Sequence, residues 1–179
     1  MAKKRERRGL VMVFTGHGKG KTTAAFGQAL RAVGRGMRVA VIQFIKSRQA
    51  PGEIQAAKKL APALTVHVCG AGYVFGQTGP RPIDIEAATR GIDLARELMR
   101  DPDLDMLILD EINVAVHLNL VDPTTLLQLI DSKPPDLHLV LTGRWAIDHV
   151  IERADLVTEM REVKHHFHKG IPEQLGIED

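Results

Sequence analysis

The chain has 179 residues, 44% hydrophobic and 26% charged, the balance of a soluble globular protein with length enough for one domain and a real core. Its formal net charge of +2 is too small to argue for a nucleic-acid partner. No apolar run approaches a membrane span, and the N-terminus lacks the apolar region of a signal peptide. The single cysteine, Cys69, rules out an internal disulfide framework and fits a reducing, cytoplasmic compartment.

Residues 1–9 form a basic-biased tail carrying Lys3, Lys4, Arg5, Arg7 and Arg8, read as solvated and flexible. Leu10 to Phe14 is a continuous apolar run, expected to be a strand buried on both faces. It leads into Thr15-Gly16-His17-Gly18-Lys19-Gly20-Lys21-Thr22-Thr23, and Lys21 to Val33 then has helical apolar spacing closed by Gly34-Arg35-Gly36. Strand, glycine-rich loop and helix in that order make a phosphate-binding loop. Backbone N–H groups and the helix N-terminus face an anion, Lys21 reaches terminal phosphates, and the Thr22 hydroxyl holds Mg²⁺. The usual spacing would need glycine at Thr15; this loop is one residue shorter and carries a second lysine, Lys19.

Val39 to Phe44 reads as a second buried strand, Glu53 to Leu60 as a short helix and Leu64 to Val68 as a third strand. A glycine-rich loop from Gly70 to Pro80 contains Tyr73, the only tyrosine, and Phe75, in a chain with only 4% aromatics; packing over the core and a ligand contact are equally open readings. Ile83 to Arg100 is an amphipathic helix, and Met106 to Leu109 a strand ending in Asp110-Glu111. Pro123 to Ile130 is a helix capped by Asp122, His138 to Leu141 a strand followed by Thr142-Gly143-Arg144, and Ala146 to Arg153 a helix. Leu156 to Val163 suits an edge strand, and residues 164–179 are a polar tail. His165, His166 and His168 lie in that tail; their spacing, without a nearby cysteine, argues against a metal site.

Strands alternating with helices predict a single α/β domain over residues 1–179, a three-layer, mainly parallel sheet with helices on both faces. Parallel strands deliver their carboxyl ends to one edge, so Asp110 and Glu111 are expected beside Lys21 and Thr22 as Mg²⁺ ligands, with Arg144 placed to pair with a phosphate oxygen. Mg²⁺, with Mn²⁺ as a substitute, is the expected cofactor.

The chain resembles the P-loop ATP:corrinoid adenosyltransferases along nearly its whole length. The fragments that carry the resemblance are residues 13–27, Gln43-Phe44-Ile45-Lys46, Leu109-Asp110-Glu111, Thr142-Gly143-Arg144, Val163-Lys164-His165 and Gln174-Leu175-Gly176-Ile177-Glu178. The resemblance implies a P-loop NTPase-like (RecA-like) fold and transfer of the 5′-deoxyadenosyl group of ATP to Co(I) of a reduced corrinoid, with triphosphate leaving. ATP and the corrinoid would be substrates, an electron-donor reductase a partner, and a homodimer the assembly. Gly16, His17, Gly18, Lys19, Gly20, Lys21, Thr22, Thr23 and Arg144 would hold the nucleotide, with Lys21 and Arg144 acting on the leaving triphosphate. Tyr73 and Phe75 would lie against the lower face of the corrinoid. Members of the family often carry a longer N-terminal helix before the first strand, and often Asn at the position of His17. The residues alone leave two alternatives: an ordinary P-loop ATPase or small-molecule kinase, which would make ADP, and a nucleotide-gated corrinoid-binding module without turnover.

Overall fold

The computed structural model describes residues 8–46, 52–72 and 79–178. Six strands, β1 (Val11–Thr15), β2 (Val39–Gln43), β3 (Leu64–Val68), β4 (Met106–Asp110), β5 (His138–Thr142) and β6 (Leu156–Glu159), form one sheet in the order β3-β2-β4-β5-β1-β6. Every pairing is parallel. Parallel neighbours need crossovers, and the chain supplies helices α1 (Lys21–Val33), α2 (Gly52–Lys58), α3 (Pro82–Leu98), α4 (Ile112–His117), α5 (Pro123–Asp131) and α6 (Asp148–Arg153).

Alternation along each strand divides the core in two. Leu107, Leu109, Leu139 and Leu141 pack on one face against Ala88 and Ile92 of α3, Ile112 of α4, Leu126 of α5 and Val150 of α6. Met106, Ile108 and Val140 point the other way, to Ala25 and Ala29 of α1 and Ala57 of α2. Small residues on α1 let that helix lie close to the sheet. Strands β2 and β4 are buried at every position, which explains why they are apolar up to their last residues, Gln43 and Asp110. Asp122 caps α5, accepting hydrogen bonds from the N–H groups of Thr124 at 2.7 Å and Thr125 at 3.4 Å.

The three-layer α/β arrangement is the expected one. The boundaries agree within two residues except at the end of the edge strand, and one further helix is present. The helix expected to begin at Ala146 begins at Asp148, because Trp145 adopts a left-handed φ of 61° and redirects the chain. The edge strand stops at Glu159, where β1, its pairing partner, runs out. A short helix, α4, follows directly on Asp110-Glu111, where the sequence reading had placed none; it is six residues long and buried along Ile112–Val116, so its apolar run has no amphipathic signature. The polar tail includes a 3₁₀ turn at His166–Lys169.

Candidate functional site

The carboxyl ends of β1, β5, β4 and β2 lie side by side, and each contributes to one cleft of about 480 Å³. The glycine loop between β1 and α1 forms one side. Gly16 has a φ of 91°, and a Cβ there would lie 2.5 Å from the Met160 carbonyl oxygen, so only glycine fits where the end of β6 crosses the loop. Gly20, with a φ of 116°, turns the chain into α1 as its N-cap. The Gly18 N–H donates to the Met160 carbonyl at 2.7 Å. Lys21 is buried, and its Nζ donates to the Gly18 carbonyl at 2.8 Å. Its ammonium thus stays folded within the loop.

Asp110, at the end of β4, is wholly buried. Its Oδ1 accepts from the Thr22 hydroxyl at 2.9 Å and the Thr142 hydroxyl at 2.8 Å, and its Oδ2 accepts from Gln43 Nε2 at 3.2 Å. These donors come from α1, β5 and β2, so one carboxylate ties three elements together. Register explains the convergence: Gln43 lies opposite Asp110, and Leu109 opposite Leu141, which sets the next residues, Asp110 and Thr142, side by side. The Thr142 oxygen also accepts from the Glu111 N–H at 2.9 Å. Glu111 sits at a φ of 62°, a left-handed conformation that costs a non-glycine residue about 1 kcal/mol or more. That turn ends β4 and brings the Glu111 side chain to the cleft wall.

Electrostatics follow from this packing. Burial pushes the Asp110 carboxyl up despite its hydrogen bonds to Thr142, Thr22 and Gln43. Burial first, then the Asp110 charge, raises Glu111 to about 7, against the opposing pull of Lys21, Lys46 and Arg144. Burial lowers the Lys21 ammonium, with the Glu111 carboxylate opposing it. Two carboxylates side by side, both raised by burial, are a favourable setting for a divalent cation. The donors are all oxygen, namely the Thr22 hydroxyl and the Asp110 and Glu111 carboxylates, as Mg²⁺ requires. The Gln43 amide oxygen beside Asp110 is buried and accepts no hydrogen bond among the described residues.

Of the residues expected at the site, His17, Gly18, Lys19, Gly20, Lys21, Thr22, Thr23, Glu111 and Arg144 line the cleft. Gly16 lies behind the loop against Met160, and Asp110 lies beneath Thr22. Tyr73 and Phe75 lie outside the described residues. Cys69 is half-buried, and burial pushes its thiol up, which keeps it protonated and a poor nucleophile.

Other cleft residues are ones to which the sequence assigns no role at the site, although Lys46, His165 and residues 176–178 lie in fragments that carry the family resemblance. Lys46 follows β2 and pairs with Glu53 of α2 at 2.6 Å; both line the cleft. The rule that located Asp110, a polar residue past the carboxyl end of a parallel strand, also applies to Lys46. Glu162, His165, Gly176, Ile177 and Glu178 form the opposite wall. Glu178 lies 3.6 Å from Lys19 Nζ and 3.1 Å from the Nε2 atoms of His165 and His166. A polar tail without periodicity carries no signal for such a return.

Residues 7–178 match the family model described as ATP:corrinoid adenosyltransferase BtuR/CobO/CobP. A corrinoid adenosyltransferase of Pseudomonas aeruginosa is 40% identical over 178 residues, covering 99% of this chain and 87% of its own. One from Sinorhizobium sp is 41% identical over 99% of this chain and 84% of its own, and one from Escherichia coli K12 is 37% identical over 99% and 89%. Among solved structures, the RadB recombinase superposes with a TM-score of 0.56 at 14% identity, covering 86% of this chain and 74% of its own. The flagellar accessory protein FlaH from Methanocaldococcus jannaschii gives 0.55 at 11% identity, over 86% and 71%. Those two likenesses concern the fold alone.

Proposed function

Since the chain belongs to the ATP:corrinoid adenosyltransferase family and transfers an adenosyl group from ATP to a corrinoid, we propose that this cleft is where the transfer takes place, with the glycine loop holding the triphosphate. The observation that carries this reading is the buried Thr22–Asp110–Thr142 network beside Lys21 and Glu111. It sets an oxygen-donor group at the mouth of the loop, beside the Lys21 ammonium held by the Gly18 carbonyl.

In the reaction, the Co(I) electron pair forms the bond to the 5′ carbon, the bond from that carbon to the triphosphate oxygen breaks, and triphosphate leaves with the electrons. The substrate's cobalt is the nucleophile, so the protein needs to supply none. Its task is to align the 5′ carbon and to receive the negative charge developing on the leaving oxygen. Lys21 leaves the Gly18 carbonyl for a phosphate oxygen, and Arg144, exposed at the rim, approaches from the β5 side. Lys19 is drawn from Glu178 to the same anion. Thr22, Asp110 and Glu111 are the residues that would hold Mg²⁺. The ion supplies charge neutralisation for the triphosphate when bound.

Tyr73 and Phe75 are assigned to the lower face of the corrinoid, where an apolar wall in place of the axial ligand favours reduction of Co(II). We further read the chain as a single domain that works in the cytoplasm as a homodimer, in cobalamin synthesis and with an electron-donor reductase.

The test mixes purified protein, Mg-ATP and chemically reduced corrinoid, and follows the visible spectrum and the phosphate products together. A light-sensitive adenosylcorrinoid formed with stoichiometric triphosphate is the expected result. ADP and phosphate, made at the same rate without corrinoid, would overturn it in favour of phosphoryl transfer. Loss of this activity in Thr22→Ala or Glu111→Gln ties it to the cleft; wild-type rates in both would move it elsewhere.

A further inference from the structure

His165, His166 and Glu178 come from two ends of a segment whose sequence spacing argued against a metal. The 3₁₀ turn brings the two imidazoles together as a stacked pair, with centroids 4.6 Å apart and planes at 23°. The returning C-terminal segment then supplies the third group. His165 Nε2 lies 3.1 Å from Glu178 Oε1, and His166 Nε2 lies 3.1 Å from Glu178 Oε2. One ligand atom from each of the three residues falls within 4.8 Å of the others.

Two features set this cluster apart from a surface ion pair. His166 Nε2 is shielded from solvent and makes no hydrogen bond among the described residues, although it is 3.1 Å from a carboxylate oxygen. It has the distance of an ion pair without the direction of a hydrogen bond, and a shielded nitrogen left so loses free energy unless something occupies its lone pair. Lys19 Nζ, at 3.6 Å, is too far from Glu178 to be a hydrogen-bond partner and leaves the carboxylate oxygens open to a ligand.

We propose that His165 Nε2, His166 Nε2 and the Glu178 carboxylate form a binding site for a divalent transition-metal ion of the zinc type, separate from the Mg²⁺ ligands and pinning the C-terminal segment beside the cleft. Two imidazole nitrogens and one carboxylate suit Zn²⁺, whereas Mg²⁺ takes oxygen ligands. Three protein ligands leave a fourth position open, and two of the three residues line the cleft. Binding requires His165 to carry its proton on Nδ1. That nitrogen now accepts the Phe167 N–H at 3.3 Å, a long bond that zinc coordination outweighs.

The experiment titrates Zn²⁺ calorimetrically into the metal-free full chain in excess Mg²⁺, which keeps the Asp110–Glu111 carboxylates occupied. One Zn²⁺ per chain is expected. His166→Ala and Glu178→Gln should each weaken binding by more than about 100-fold, beyond the usual cost of losing an outer-shell partner. His168→Ala should leave it unchanged. Circular dichroism establishes that each variant is folded. In the wild-type protein, Zn²⁺ should also slow tryptic cleavage after Lys169, a readout that needs no variant. Absence of Zn²⁺ binding, equal binding by wild type and His166→Ala, or Zn²⁺-independent cleavage after Lys169 would each overturn the proposal.

Discussion

The two walls of the cleft are built on opposite principles. On the sheet side, Lys21 is only 7% exposed, Asp110 is wholly buried, and the hydrogen bonds to Asp110 come from neighbouring strand ends and from α1. On the tail side, the Lys19 side chain is 41% exposed and reaches Glu178, in a segment with no strand or α-helix, only at 3.6 Å. Buried, mutually satisfied polar groups hold one geometry because each alternative strands a donor or acceptor away from water. Exposed ion pairs lose little when they open, since water takes their place. The first wall therefore holds one geometry, and the second can open at little cost.

The comparison is most strongly tested at Lys21. Replacement by Ala removes the cation buried in the loop and should lower kcat by about 10²–10³-fold, as losing one preorganised stabilising donor does elsewhere. Steady-state kinetics with saturating corrinoid measure it. A loss confined to KM for ATP would mean that Lys21 only binds.

Thr142→Val separates architecture from ligand contact, because Thr142 does not line the cleft. It strands the Glu111 N–H and removes one of the hydrogen bonds to Asp110. The expected cost is about 2–3 kcal/mol, or roughly 5–10 °C in melting temperature. An unchanged melting temperature would show that the network does not anchor this wall.

Glu111 supplies a pH test. Its carboxyl is raised to about 7 from an ordinary 4.5, so the folded state favours the protonated form. Its contribution to stability is complete below the ordinary value and is lost as pH rises through about 7. Without Mg²⁺, the wild-type melting temperature should fall by a few degrees between about pH 5 and about pH 8. Glu111→Gln should make that slope shallower, and saturating Mg²⁺ should do the same in the wild type by favouring the ionised form. Equal slopes in all three would remove Glu111 from the carboxylate pair.

Lys19→Ala probes the other wall and should have the smallest effect. A single exposed charge contact is worth about 1 kcal/mol, so KM for ATP should rise roughly fivefold with the melting temperature unchanged. A loss of stability comparable to that of Thr142→Val would show that the tail wall is as structural as the sheet wall.

The sheet wall was largely legible before the structure. An apolar run, a glycine loop, Lys21-Thr22 and a second apolar run ending in Asp110-Glu111 are local patterns. A parallel sheet necessarily brings strand ends together at one edge. The same rule placed Arg144 at the cleft. It did not reveal Thr142 as the bridge between Asp110 and the Glu111 backbone, because that role depends on β5 lying between β1 and β4. Strand order is a long-range property, and the hydrophobic pattern of one strand does not encode its neighbour. Helix α4 escaped for a related reason: a short helix buried along most of its length shows no period.

By itself, then, the sequence determined the alternation of strands and helices, the phosphate loop, its acidic partner and the family, because each is written in residue types at fixed local spacing. Only the tertiary structure decided which hydroxyl bridges the Asp110 carboxylate and the Glu111 backbone, that Met160 demands glycine at position 16, and that Glu178 returns to His165 and His166. Those contacts join residues far apart in the chain or in elements whose order the sequence does not state. They arise because burial leaves each polar group few other partners, and not from any pattern a short window of residues can display.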